Sequence, residues 1–337
     1  MAEMQLREAV AQGLREAMDS DERFMMLGED IGEYGGAYAV TKGFLRSYGQ
    51  DRVRDTPISE AVIVGASVGA AMGGIRPIVE VMTINFTLLA MDQIVNHAAK
   101  LRYMSGGTLS VPLVIRAPVG ATGRGAQHAQ NMERFFTGVP GLKVLCPATA
   151  YDAKGLLKAA IRDDNPVLMF EHKLLYGSKG IGATTGDIDA SSEIPDEDYI
   201  VPIGKGIVRR SGGDVTIVAT LLMMHLALAA AEELSSQGIE AEVIDPRTLD
   251  PLDWPLIEQS VEKTSRVIIV EEGPKTGGWS AEVAASLGER MMEYLTAPIQ
   301  RVASPDIPVP FAPALENAYR PNVRQIIQAV ESLIALG

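Results

Sequence analysis

Apolar positions along the chain alternate between helical and extended periods. Leu6, Val10, Leu14, Ala17 and Met18 recur mainly at spacings of three and four, which predicts an amphipathic helix over 4–18. The short apolar runs RFMML (23–27), IRPIVEVM (75–82), VPLVIRAP (111–118), KVLCP (143–147) and PVLMFEH (166–172) predict strands. Helical patterns lie between them at 59–74, 87–103 and 150–162, so the order reads as a parallel sheet covered by helices. The pattern restarts later with DVTIVAT (214–220), IEAEVIDP (239–246), SRVIIVEEG (265–273) and PIQRVASP (298–305). A last helix over 322–336 puts Val323, Ile326, Ile327, Val330, Leu333 and Ile334 on one face, with Asn322 as its cap.

Between the two blocks, residues 178–203 hold six acids, several glycines and prolines, and Lys179 as the lone base. Such a stretch has little to bury and reads as a solvated crossing. The expected organisation is two tandem α/β domains, at 1–180 and 204–337, with an acidic linker over 181–203.

The 337 residues are 47% hydrophobic and 22% charged, an ordinary globular balance. A net charge of −13 repels phosphate backbones and anionic lipid, so neither nucleic acid nor a membrane surface is an expected partner. The first ten residues, MAEMQLREAV, lack a secretory apolar stretch, and no run approaches the ~20 apolar residues of a membrane span. A cytoplasmic location is expected. Cys146, the one cysteine, sits in an apolar run and reads as a buried thiol.

Residues 55–60 read Asp-Thr-Pro-Ile-Ser-Glu. Pro57 ends a strand, Ser59 is a good helix N-cap, and Glu60 falls in the first turn. From the residues alone, Glu60 is an acid complementing the helix dipole; its alternative is a proton-transfer carboxyl at the end of a parallel strand. Gly65, Gly69 and Gly73 share one face of that helix and ask for a close contact, as at a subunit interface. In PVGATGRGAQHAQNMER (118–134), three glycines surround His128, which by spacing alone is a solvated loop histidine. His97, His172 and His225 show no metal-ligand spacing, and His225 is expected in the core.

Taken together, GEDIGEYGGAY (28–38), RVRDTPISEAVIVGASVGAAMGGIRPIVEVMTINF (52–86), MDQIVNHAAKLRYMSGG (91–107), GATGRGAQHAQ (120–130), PGLKVLCPAT (140–149), DAKGLLKAAIRDDNPV (152–167) and VIDPRTLDPLD (243–253) resemble one family. It is the beta subunit of the thiamine-diphosphate-dependent first component of 2-oxo acid dehydrogenase complexes. DTPISE and TINF look more like its pyruvate-specific members than its branched-chain ones. Acetoin dehydrogenase beta subunits carry similar motifs.

The resemblance implies a transketolase-like fold, with a pyrimidine-binding domain followed by a transketolase C-terminal domain. It implies an oxidoreductase that decarboxylates a 2-oxo acid and passes the acyl group to the lipoyl group of an acyltransferase component. Glu60 matches the catalytic glutamate that hydrogen-bonds the aminopyrimidine, which reverses the structural reading. Phe86 matches the aromatic residue packed on that ring, Glu29 an acid near the cofactor, and His128 a histidine serving acyl transfer. Leu113, Ala160, Ile161, Asp163 and Asn165 match positions whose backbone carbonyls hold potassium in many relatives.

The Gly-Asp-Gly motif that holds magnesium and the diphosphate is missing; Gly186-Asp187 and Gly213-Asp214 are the only Gly-Asp pairs. The resemblance therefore implies an alpha subunit that supplies magnesium and the diphosphate half, in an alpha2beta2 assembly. The competing readings are a scaffold subunit without a complete site and a single-chain transketolase-like synthase. Retention of Glu60, Phe86 and His128 disfavours the first; the missing motif disfavours the second.

Overall fold

The structure is a computed structural model describing residues 2–177 and 188–336. The Gly186-Asp187 pair and the first part of the expected linker lie outside those residues. Two compact units are present. The first comprises residues 1–119 and 138–203, the second residues 120–137 and 204–337.

In the first unit the elements are β1 (Ala2–Met4), α1 (Leu6–Ser20), β2 (Phe24–Gly28), α2 (Phe44–Tyr48), β3 (Val53–Asp55), α3 (Glu60–Met72), β4 (Arg76–Glu80), α4 (Leu101–Met104), β5 (Val114–Val119), β6 (Lys143–Leu145), α5 (Ala150–Arg162), β7 (Val167–His172) and β8 (Ser192–Ile194). Its main sheet is parallel, ordered β6-β7-β5-β4-β2-β3. Every residue of β5 and β7 is buried, as parallel strands covered on both faces must be. Helix α1 buries Leu6, Val10, Leu14, Ala17 and Met18, as its period predicts, and packs on α5. Gly13 lies at that contact, where a Cβ would stand 3.4 Å from Leu157, an ordinary van der Waals distance.

The 87–103 pattern is not one helix. It divides into a 3₁₀ segment (Ile84–Ala90), a π segment (Gln93–Ala98) and α4. Buried Ile84, Thr87 and Ala90 are three apart, which suits the tighter winding. Ile94 and Ala98 are four apart, in the wider turn closed by the Ala99 N–H bonding the Ile94 carbonyl at 3.0 Å.

The acidic stretch expected as a linker contributes structure to the first unit. β8 pairs antiparallel with β1, and Asp198 joins Arg162 at 2.7 Å and Lys158. Asp198 thus serves as a counterion to two basic residues of α5.

The second unit contains β9 (Ile207–Arg210), β10 (Val215–Ala219), α6 (Leu221–Ser235), β11 (Ala241–Asp245), β12 (Thr248–Asp250), α7 (Trp254–Thr264), β13 (Val267–Pro274), α8 (Trp279–Arg290), β14 (Gln300–Ser304), α9 (Pro313–Tyr319) and α10 (Val323–Ile334). Its sheet runs β14-β13-β10-β11-β9, parallel except for β9. Asn322 caps α10 by accepting the Gln325 N–H at 3.1 Å. Cys146 is buried, and His225 is half-buried rather than core, on a helix that buries Leu222, Met223, Met224, Ala227, Ala231 and Leu234. Among the described residues, no helix is long and apolar enough to cross a membrane.

Candidate active site

Three of the residues singled out from sequence follow the carboxyl ends of neighbouring strands in the first unit. Ligand sites of open α/β sheets gather at such ends. β2 ends at Gly28, where a Cβ would stand 2.7 Å from the Glu80 carbonyl oxygen; only glycine fits beside that strand. Glu29 follows and is buried. β3 ends at Asp55, which accepts the Gly32 N–H at 2.6 Å and the Glu33 N–H at 3.2 Å. This ties the loop after β2 to the strand that leads to Glu60. β4 ends at Glu80, and Phe86 lies half-buried beyond it in the 3₁₀ segment.

Glu60 is the first residue of α3 and is 3% exposed. Ser59 takes the N-cap position, but its side chain makes no capping hydrogen bond, contrary to the sequence expectation. Burial pushes the Glu29 carboxyl above its ordinary value, and the charges of Glu60 and Asp30 push it the same way. Glu29 Oε1 is buried and has no hydrogen-bond partner among the described residues. Two acids near each other, one with an unsatisfied oxygen, present a place for a nitrogen-bearing group that gives and takes protons.

The glycines of α3 divide. A Cβ on Gly65 would meet Gln93 Oε1 at 3.0 Å, so its close contact lies within the unit. Gly69 faces open space, and Gly73 is the C-cap. Val62, Ala66, Gly69 and Met72 make an exposed apolar stripe on the same helix.

Of the carbonyls matched to potassium, those of Leu113, Ala160, Ile161 and Asp163 have N–H donors. Leu113 O accepts from Val167 N–H at 2.8 Å, and Ala160 O from Asp163 N–H at 3.1 Å. Arg76 Nη2 donates to Ile161 O and to Asp163 O, both at 2.9 Å. The Asn165 N–H and side-chain amide donate to Asp163 Oδ1 at 2.9 and 2.8 Å, and Lys143 binds the other oxygen. The donors are of the hard oxygen type that potassium takes, although the Ile161 carbonyl already accepts from both Nε and Nη2 of Arg76, at 3.3 and 2.9 Å. Among the described residues, no group of three or more His, Cys, Asp or Glu side chains is placed to hold a metal.

A cavity of about 700 Å³ opens at the opposite, amino ends of β2 and β4, beside Phe24 and Arg76. Much of its charge is internally paired, Arg23 with Asp21 at 2.6 Å and Arg162 with Asp198 at 2.7 Å. It is a salt-bridged cleft rather than an extension of the site.

His128 belongs to the second unit. It is exposed, in a loop where Gly120, Gly123 and Gly125 take φ of +103°, +70° and +73°. Ala121 and Ala129 of this loop pack with Val309 and Tyr319. Behind it lie three buried acids that sequence reading passed over, Glu133, Glu271 and Glu272. Burial and the Glu271 and Glu272 charges push Glu133 up to about 7; burial likewise pushes Glu271 up to about 7. Sequence reading also passed over Glu80, Arg116, Glu171 and Tyr176 of the first unit, although charged residues inside apolar strand runs were a visible signal.

Residues 2–179 match the transketolase pyrimidine-binding domain and residues 204–326 the transketolase C-terminal domain. A solved chain described as a split gene transketolase, inactive beta4 tetramer, superposes with a TM-score of 0.78 over 99% of both chains at 24% identity, which shows the fold alone. The class is thus a two-domain transketolase-like α/β protein. Pyruvate dehydrogenase E1 component subunit beta-1, mitochondrial, of Arabidopsis thaliana is 47% identical over 97% of this chain and 88% of its own length. The pyruvate dehydrogenase E1 component subunit beta of Rhizobium meliloti is 46% identical over 99% of this chain and 70% of its own. The chain belongs to this family of pyruvate dehydrogenase E1 beta subunits, which is thiamine-diphosphate-dependent.

Proposed function

We propose that this chain is the beta half of a pyruvate-decarboxylating, acetyl-transferring dehydrogenase component, active with an alpha subunit. The observation that carries the reading is the buried Glu29 and Glu60 pair beyond the carboxyl ends of β2 and β3, with Phe86 beyond β4. Relatives at 44–48% identity over nearly the whole chain carry the pyruvate dehydrogenase name, which favours pyruvate over acetoin or branched-chain substrates.

Thiamine diphosphate, when bound, supplies the electron sink for decarboxylation of a 2-oxo acid. This chain's residues would hold the aminopyrimidine half. A Glu60 carboxylate oxygen would share a proton with a ring nitrogen, the Phe86 ring would cover one face, and Glu29 would offer its unsatisfied Oε1. His128 would assist acyl transfer to the lipoyl group of the acyltransferase component. The alpha subunit would supply magnesium and hold the diphosphate, and the exposed Val62, Ala66, Gly69 and Met72 stripe offers a face for close subunit packing in an alpha2beta2 assembly. Leu113, Ala160, Ile161, Asp163 and Asn165 would hold potassium through their carbonyls; a higher melting temperature in potassium than in sodium chloride at equal ionic strength tests that set.

Calorimetry and turnover test the main reading. The chain alone should bind thiamine diphosphate and magnesium weakly and turn over nothing. Co-expression with the alpha subunit should yield pyruvate-dependent reduction of an artificial electron acceptor. Micromolar binding by the chain alone would overturn the split-site reading.

A further inference from the structure

The first unit buries a charged network separate from the residues assigned above. Arg116 of β5 is 1% exposed. Its Nε and Nη2 donate to the two carboxylate oxygens of Glu171 at 2.6 and 2.7 Å, and its Nη1 donates to Glu80 Oε2 at 2.8 Å. The Tyr176 hydroxyl donates to Glu171 Oε2 at 2.7 Å. Glu80, Arg116 and Glu171 stand on β4, β5 and β7, three adjacent strands. Burial and the Glu171 charge push the Glu80 carboxyl up, against the pull of Arg116.

Stability alone explains such a network poorly. Burying three charges costs so much desolvation that well-packed apolar side chains often do as well or better. The same strands bury Val79, Ile115 and Phe170 without difficulty. What ionic networks can add is a fixed geometry, and the geometry fixed here is that of one loop. Glu80 is the register partner of Gly28, the residue before Glu29. Glu80 Oε1 lies 3.0 Å from where a Gly36 Cβ would sit. Farther along the loop, the Tyr38 ring lies against the Tyr176 ring, centroids 5.1 Å apart. Loop 29–38 therefore meets the network at its start, at Gly36 and at its end, while Asp55 holds Gly32 and Glu33 between.

We propose that Arg116 is a positioning residue: by locking Glu80 and the Glu171–Tyr176 pair, it sets the place of loop 29–38 and so of Glu29 in the aminopyrimidine half-site. The proposal rests on the function proposed above. Arg116→Lys keeps the charge but loses the planar fork whose separate nitrogens reach both carboxylates, one of them bidentately. Glu80→Gln keeps the size and removes the charged acceptor. Tyr176→Phe removes a single hydroxyl.

The test uses each variant chain assembled with its alpha partner. It reads the KM for thiamine diphosphate, kcat per folded site, and hydrogen exchange of the loop amides, including the Gly36 N–H that bonds Asp30 O at 2.8 Å. Arg116→Lys and Glu80→Gln should raise the KM about 10-fold, and Tyr176→Phe about 3-fold, with kcat changed less than about twofold and faster loop exchange. Variants that melt earlier but keep the KM within about twofold of wild type would show a merely structural network and overturn the proposal. If the two charge variants fail to assemble, Tyr176→Phe decides on the same criterion. An inactive wild-type assembly would overturn the functional reading instead. Loop exchange would then decide the positioning claim, unchanged rates in the variants refuting it and faster rates sustaining it.

Discussion

Glu316 accepts the Gly123 main-chain N–H on both carboxylate oxygens, at 2.7 and 2.9 Å. Ala121 N–H goes to Glu272 Oε1 at 2.8 Å, and Arg320 Nη1 donates to the Ala121 carbonyl at 3.1 Å. Side chains of the second unit thus hold the glycine-rich loop that carries His128, although its glycines leave the backbone conformationally permissive. A hydrogen bond to a charged acceptor contributes about 1.5–3 kcal/mol. Glu316→Ala should therefore speed hydrogen exchange at Gly123 by about 10-fold or more, with Glu316→Gln intermediate. Equal exchange in Glu316→Ala and wild type would show that the carboxylate does not hold the loop.

Glu60→Gln should leave folding and assembly intact and nearly abolish pyruvate decarboxylation. The amide keeps the size of the carboxyl but cannot shuttle a proton. General acid–base groups typically contribute about 10²–10⁴-fold, so steady-state turnover within about twofold of wild type would refute the assignment.

His128→Ala should impair acyl transfer to a lipoyl domain more than decarboxylation measured with an artificial acceptor. Equal losses in the two assays would indicate a general loop defect. No loss in either would return His128 to the role of a solvated loop residue.

Glu133 and Glu271 give the second unit a distinctive pH dependence. Both are held up to about 7, above the ordinary 4.5, chiefly by burial. Between those values the native state binds more protons than the unfolded chain. The stability is fully present below about 4.5 and falls as pH rises toward 7, by on the order of 3 kcal/mol for one such carboxyl. Glu133→Gln and Glu271→Gln remove the titrating group. Each should therefore gain stability relative to wild type when denaturant unfolding is compared at pH 8 and pH 5. A difference between variant and wild type that does not change with pH would contradict the burial argument.

Local signals located most of the elements. The apolar runs at 75–82, 143–147 and 166–172 contain β4, β6 and β7, the run at 23–27 falls one residue short of the end of β2, and Asn322 is the cap that its position suggested. Pro57 marked the boundary between β3 and α3, which placed Glu60 at a helix start. The 87–103 pattern misled because 3₁₀ and π turns also bury residues three and four apart, so spacing alone reads them as one α-helix.

The sequence by itself determined the alternation of strand and helix, the two-part organisation, the missing diphosphate motif and the family resemblance that singled out Glu29, Glu60, Phe86 and His128. Each of these depends on nearby residues or on matched motifs. The tertiary structure decided what depends on strand order. Glu80, Arg116 and Glu171 are separated by 36 and 55 residues at their hydrogen bonds, and only the β4-β5-β7 adjacency brings them together. It also assigned residues 120–137 to the second unit and β8 to the first. Those placements follow from which N–H groups find a buried carboxylate and which edges find a partner strand, and neither is written in local periodicity.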